Sequence, residues 1–311
     1  ELVSLTAKQK VNKQKLLPVG SLSTVKILTK TLSYKGKSIQ VSLNKVLGRS
    51  FDPFFIWLDD NGTLFADIYA YGALISSGWE SQLSELKILQ LNASEKHWQQ
   101  VANQYSHTLT KPLLIKNAQL FDSVNLTLVK NASVLIVDGK VAEVGEGVNA
   151  IGLNVAEDEL ITLDAEGKTL MPGLWDMHNH INQQRGLISI AGGVTHTRDL
   201  GNYNERTLQV KSDFENQKTI GPRLYLAGFI DKKSDYSSNL GKIVTTLDEA
   251  IDAVNWYADN GYIQIKLYAS ILPQWIEPIA KQAHKRGLRV SGHIPAFVNA
   301  SQAVEFGFDE I

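Results

Sequence analysis

Three short stretches of the sequence offer side chains able to bind a metal or move a proton. In TLMPGLWDMHNHINQQRG, residues 169–186, His178 and His180 sit one residue apart behind an apolar run closed by Pro172 and Gly173. Alternate residues of a strand share a face, so both imidazoles can reach one ion while Asn179 turns away. Two strand-end histidines bonded to backbone would read the same. In IQIKLYA, Lys266 is flanked by Ile263, Ile265 and Leu267, in a strand expected to be buried on both faces. Burying an unpaired ammonium is costly, so such a lysine pairs with a carboxylate or gives up its charge. The neutral amine can take up carbon dioxide to form a carbamate, an anion able to bridge two metal ions. The alternative is a lysine that snorkels from the strand end to solvent. VSGHIP carries His293, with Gly292 allowing close backbone approach and Pro295 closing the strand. Alone, it reads as a hydrogen-bonded histidine.

Neighbouring residues suggest supporting roles. Asp176, two before His178, shares its face and could accept a hydrogen bond from a ligand histidine, or simply shape the strand start. Tyr268, two after Lys266, could bond substrate or a developing oxyanion, or be structural. Arg198 and Asp199 are expected to pair with each other, His196 to be a plain strand histidine, and His284, beside Lys281 and Lys285, to face solvent. His97 and His107 have no evident partner.

The elements that must position these residues follow from periodicity and turn chemistry. Residues 1–111 read as a lobe of strands followed by one or two amphipathic helices, with turns at Lys35-Gly36 and at Asp60-Asn61-Gly62. Residues 112–170 read as short strands with turns at Asp138-Gly139 and Ala165-Glu166-Gly167, a small antiparallel β-sandwich. From residue 171 strands alternate with helices, which argues for a parallel sheet with helical crossovers. In TLDEAIDAVNWYADNG, Thr246 is the expected N-cap and Gly261 the stop. The final FDEI reads as the start of another strand. Polar residues at strand ends (His178, Asp199, Lys266, His293) are what an α/β barrel with its site at the C-terminal face requires.

Composition narrows the function. The 311 residues include 31 basic and 32 acidic side chains, a net charge of −1, which gives no electrostatic footprint for nucleic acid. There is no cysteine, so disulfides, thiolate metal sites and a cysteine nucleophile are excluded. No apolar run has the length of a membrane span. No secretory signal is visible, and because the chain opens at Glu1 rather than methionine the localisation is left open, periplasmic or secreted if a leader was removed.

Together the segments LMPGLWDMHNHI, AGGVTHTRDLG, IKLYAS, IAKQAHKRGLRVSGHIP and AVEFGFDEI resemble the amidohydrolase superfamily, especially its prolidase-like and imidazolonepropionase-like members. LLIKNAQLFDS with ASVLIVDGKVAEVGEG is similar to the small β-sandwich that precedes the barrel there. The resemblance covers residues 112–311 and implies a (βα)8 barrel of which about five strands are present. It implies that His178 and His180 bind one divalent ion, that Lys266 is the carboxylated bridge and that His293 binds a second ion. The family's further histidine on strand six and aspartate on strand eight are not in this sequence. Imidazole and carbamate oxygen suit Zn²⁺ and also accommodate Mn²⁺, Fe²⁺ or Co²⁺. The implied activity is hydrolysis of a C–N bond in an amide, dipeptide or N-acyl amino acid by metal-activated hydroxide. A deaminase or cyclic-amide ring opener on the same scaffold is the alternative, as is a non-catalytic binding protein or inactive fragment. The remaining strands are expected from the rest of a longer chain or a second polypeptide. Alone, the 311 residues are expected to be inactive and either to aggregate through open strand edges or to stay partly unfolded.

Overall fold

The computed structural model describes Val3 and residues 13–69, 72–148 and 159–311. Ala70 and Tyr71, at the end of the second aromatic run, lie outside the described residues. The chain forms two compact units. One comprises Glu1–Gln104 with Ile181–Ile188 and Ser212–Gly221; the other comprises Tyr105–His180, Ser189–Lys211 and Pro222–Ile311.

The first unit is built on a six-stranded meander of β1 (Lys13–Lys15), β2 (Ser21–Tyr34), β3 (Lys37–Leu47), β4 (Phe54–Asp59), β5 (Leu64–Tyr69) and β6 (Gly72–Ile75), in sequence order. Lys35 and Gly36, with φ of 48° and 74°, form the expected two-residue turn between β2 and β3. The β4–β5 turn is organised by Asp59, whose Oδ1 accepts the Asn61 and Thr63 amides at 2.9 and 2.7 Å. After Gly78 one long helix forms rather than two, α1 (Leu83–Tyr105). Its Leu86 enters the core of Leu43, Trp57 and Phe65, while Leu22, Val46, Ile56 and Leu58 form a second cluster.

In the second unit, β7 (Leu113–Asp122), β8 (Thr127–Val137) and β9 (Lys140–Glu146) pair antiparallel. Asp138 and Gly139 make the tight turn between β8 and β9, both at positive φ. Two short strands, β10 (Ile161–Asp164) and β11 (Thr169–Leu170), join β7 in parallel.

The rest of this unit is a parallel half-barrel. Its path runs β12 (Leu174–Asn179), β13 (Val194–Asp199), β14 (Arg223–Lys232), then, past the short β15 (Lys242–Val244) that pairs with the end of β14, β16 (Gln264–Leu267) and β17 (Arg289–Gly292). In sequence, α2 (Gln183–Ala191), α3 (Asn204–Glu215), α4 (Leu247–Asp259) and α5 (Pro273–Lys285) lie between these strands and α6 (Ala300–Glu305) follows β17; residues 183–188 of α2 and 212–215 of α3 belong to the first unit. Thr246 caps α4 by accepting the Glu249 amide at 3.2 Å. Buried alanines and branched residues on one face of α4 (Ala250, Ala253, Val254) and α5 (Ile276, Ile279, Ala283) mark the sides turned away from solvent. Among the described residues FDEI is not a strand. Asp309 makes one ladder-like contact, its amide donating to the Val290 carbonyl at 2.8 Å.

Candidate metal centre

The C-terminal ends of β12, β16 and β17 carry His178 and His180, Lys266, and His293. At β12 the backbone leaves the ladder under the control of Asp176. Its carboxylate accepts the His178 amide at 3.0 Å and the Asn179 side-chain amide at 2.9 Å. Asp176 thus shapes the loop through backbone and amide; the imidazole contact foreseen for it is not what its carboxylate makes. The His178 and His180 rings face each other edge-on, centroids 5.6 Å apart. His180 Nδ1 lies 2.5 Å from the Gly201 carbonyl. A carbonyl only accepts, so Nδ1 carries a proton there. Histidine ligands of metals typically have this second bond.

Every residue of β16, Gln264 through Leu267, is buried, whereas Ile263 just before it is 42% exposed. Lys266 is 4% exposed. Among the described residues its Nζ makes no hydrogen bond or ion pair. Desolvation holds its pKa below the ordinary lysine value, with the Asp199 carboxylate opposing and the Arg198 guanidinium reinforcing the shift. On β17, a Cβ at Gly292 would meet the Leu267 carbonyl oxygen at 2.0 Å. Glycine therefore allows the close approach in which the His293 amide donates to that carbonyl at 3.1 Å. The Tyr268 ring lies between Phe229 and His293, with centroids 4.8 and 4.3 Å away.

The electrostatics link the three strand ends. His178 is held below the usual imidazole value first by desolvation, then by the positive charges of Lys266, His180, Arg198 and His293. Desolvation also lowers His293, followed by Lys266, while Asp231 pulls the other way. Crowded cationic groups of this kind favour neutral imidazoles and a neutral amine.

Among the described residues, no group of three or more His, Cys, Asp or Glu side chains is placed to hold an ion. The converging set includes a lysine, which becomes a metal ligand only when neutral or carboxylated. The residues fit a metal on three observations: the His180 ring oriented through Nδ1 by the Gly201 carbonyl, the facing His178 ring, and the buried, unpartnered amine of Lys266. A carbamate on Lys266 would add the anionic oxygens that a divalent cation requires.

Other groups near the strand ends were not foreseen. Arg198 pairs with Glu310, not with its neighbour Asp199. Asp199 instead accepts the Gly201 amide at 2.9 Å and the Asn202 side chain at 3.1 Å. Asp231 is fully buried at the end of β14 and accepts the Ser270 amide at 2.9 Å, tying the loop after β16 to β14. Burial raises its pKa against the hydrogen bonds that lower it. An acidic residue at the end of the apolar run RLYLAGFID was the available signal. His196 stacks on Trp175, centroids 4.6 Å apart and 13° between planes, and Trp175 on Tyr225 at 5.0 Å. His284 is half-exposed as expected, and bonds Asp309 at 2.9 Å.

No protein-family model matches the chain. A dihydroorotase of Pelotomaculum thermopropionicum is 42% identical over 71 residues, 23% of this chain and 15% of that protein. An imidazolonepropionase of Halobacterium salinarum is 40% identical over 50 residues, 16% of this chain and 12% of that protein. Among solved structures, a Xaa-Pro dipeptidase with methionine in its active site aligns with a TM-score of 0.53 at 18% identity, over 64% of this chain and 60% of that one. An amidohydrolase aligns with a TM-score of 0.51 at 24% identity, again over 64% and 60%. The chain thus spans about 15% of that dihydroorotase and 60% of that dipeptidase.

Proposed function

We propose that the chain is a member of the amidohydrolase superfamily and carries out metal-dependent hydrolysis of a C–N bond, with a dipeptide or N-acyl amino acid as substrate, a reading supported by the stretches it shares with a dihydroorotase and an imidazolonepropionase. The observation that carries this reading is Lys266: a buried amine without a partner, on the strand beside His293 and within the electrostatic reach of His178. The relatives named above, a dihydroorotase, an imidazolonepropionase and a Xaa-Pro dipeptidase, act on C–N bonds, which supports the class of reaction.

In this reading His178, His180 and His293, with Lys266 as its carbamate, would hold divalent ions, with Zn²⁺ the metal that best suits the donors. When bound, such ions polarise a carbonyl and make water a nucleophile near neutral pH. This chain's residues do the rest by placement. Gly201 fixes the His180 tautomer, Asp176 the loop at His178, and Gly292 the approach of His293 to β16. Tyr268, half-buried and packed against His293, would donate its hydroxyl to a substrate oxygen in this reading. The domain division at 111 and 170 belongs to the same proposal.

Purifying the complete protein without chelator, measuring metal content, and assaying a dipeptide panel tests the reading. Two divalent ions per chain and turnover of at least one substrate are expected. A metal-free protein that hydrolyses none of them overturns it.

A further inference from the structure

One rung below the candidate ligands, the interior of the half-barrel is polar and buried. Arg198 on β13 is 7% exposed, Gln264 on β16 1% and Ser291 on β17 3%. Arg198 Nε donates to the carbonyl of Met177, the residue before His178, at 2.9 Å. Its Nη1 donates to Gln264 Oε1 at 3.2 Å, and Gln264 Nε2 donates onward to Ser291 Oγ. Both terminal nitrogens grip Glu310, Nη1 to Oε2 at 2.6 Å and Nη2 to Oε1. Gln264 is two positions before Lys266, and Ser291 two before His293. Residues two apart on a strand share a face.

We propose that Arg198 is a positioning residue for the metal centre. The relay Met177 carbonyl–Arg198–Gln264–Ser291, closed by Glu310, sets the register of the three strands that present His178, Lys266 and His293. This inference rests on the metal-centre reading above. A guanidinium suits the task because its rigid fork bonds a carbonyl, an amide and a carboxylate at once, which a lysine ammonium on a flexible stem does not reproduce. Glu310 completes it, because a buried guanidinium without a counter-charge would be costly. Glu310 lies 112 positions from Arg198 in the chain, so the pair also ties the segment after α6 to the second strand.

The test uses the complete protein with Arg198→Lys, which keeps the charge and loses the fork. Three measurements are made: the visible spectrum of the Co²⁺-loaded protein, metal retention against a chelator, and amide exchange over residues 174–180 in metal-free protein. The expected result is cooperative unfolding with a changed Co²⁺ spectrum, metal retention weakened by about tenfold to a hundredfold, and faster exchange confined to 174–180. A variant that only melts earlier, with parental spectrum, retention and exchange, overturns the proposal. If Arg198→Lys does not fold, Ser291→Ala cuts the relay at its far end and must shift the spectrum; an unchanged spectrum there also overturns it. If the parent protein takes up no Co²⁺, the metal-centre reading fails. The relay is then judged by amide exchange alone, and unchanged exchange over 174–180 refutes it.

Discussion

Gly292 lies so close to Leu267 that a Cβ on it would come within 2.0 Å of the Leu267 carbonyl oxygen, and its φ of 153° is one that side-chain-bearing residues rarely adopt. The contact is backbone against backbone, so neither partner can swing aside. Gly292→Ala is therefore expected to destabilise the protein by about 1–3 kcal/mol and to displace His293, the next residue. Thermal unfolding and metal content together check this. An alanine variant with parental melting and full metal would show that β17 gives way easily.

His178 and His180 are expected to act as one unit. Replacing both with alanine in the complete protein should remove at least one of two bound divalent ions. Elemental analysis decides it, and full occupancy in the double variant would end the assignment.

Lys266→Ala should abolish hydrolysis, because it removes the buried amine on which the bridging carbamate would form. Added short carboxylates such as formate or acetate should restore part of it by entering the space with an anionic oxygen pair. The assay compares initial rates with and without carboxylate. Parental activity in Lys266→Ala without addition would exclude a ligand role.

Acid should weaken the metal-free protein in two stages. His178 and His293 are held below the ordinary imidazole value, chiefly by desolvation. The unfolded chain therefore takes up protons first, and stability declines as pH falls below about 6.5. The Arg198 hydrogen bond lowers Glu310. Burial would raise Asp309, but the Val290 amide and His284 outweigh it. The stabilisation from these two carboxylates is complete above their unfolded values and is lost as pH falls from about 4.5 through the depressed folded ones. Melting temperature against pH should show both declines. Glu310→Gln should flatten the lower one, modestly, since Glu310 is 35% exposed and partly screened. An unaltered acid limb in that variant would show that the Glu310 carboxylate does not contribute to the lower decline.

The strands and helices around the site were legible because they rest on local rules. The strand–helix alternation marked β12, β13, β14, β16 and β17 but not the short β15, Thr246 and Gly261 bracketed α4, and Asp138-Gly139 fixed its hairpin. The chemical types at the strand ends were legible too, since His-x-His, a lysine in an apolar strand and Gly-His each stand out against their neighbours. Burial of Lys266 followed from its flanks.

What each polar group bonds to was another matter. Arg198 beside Asp199 looks like a pair in the sequence, yet adjacent strand residues point to opposite faces, and the guanidinium finds Glu310 across the barrel interior instead. Asp176 looks like a partner for an imidazole, yet its short side chain is taken up by the nearer His178 amide. Periodicity reports which face a residue occupies. The identity of its partner depends on which other strands bring their faces to the same place, and that is decided only when β13, β16, β17 and the segment after α6 close around one interior.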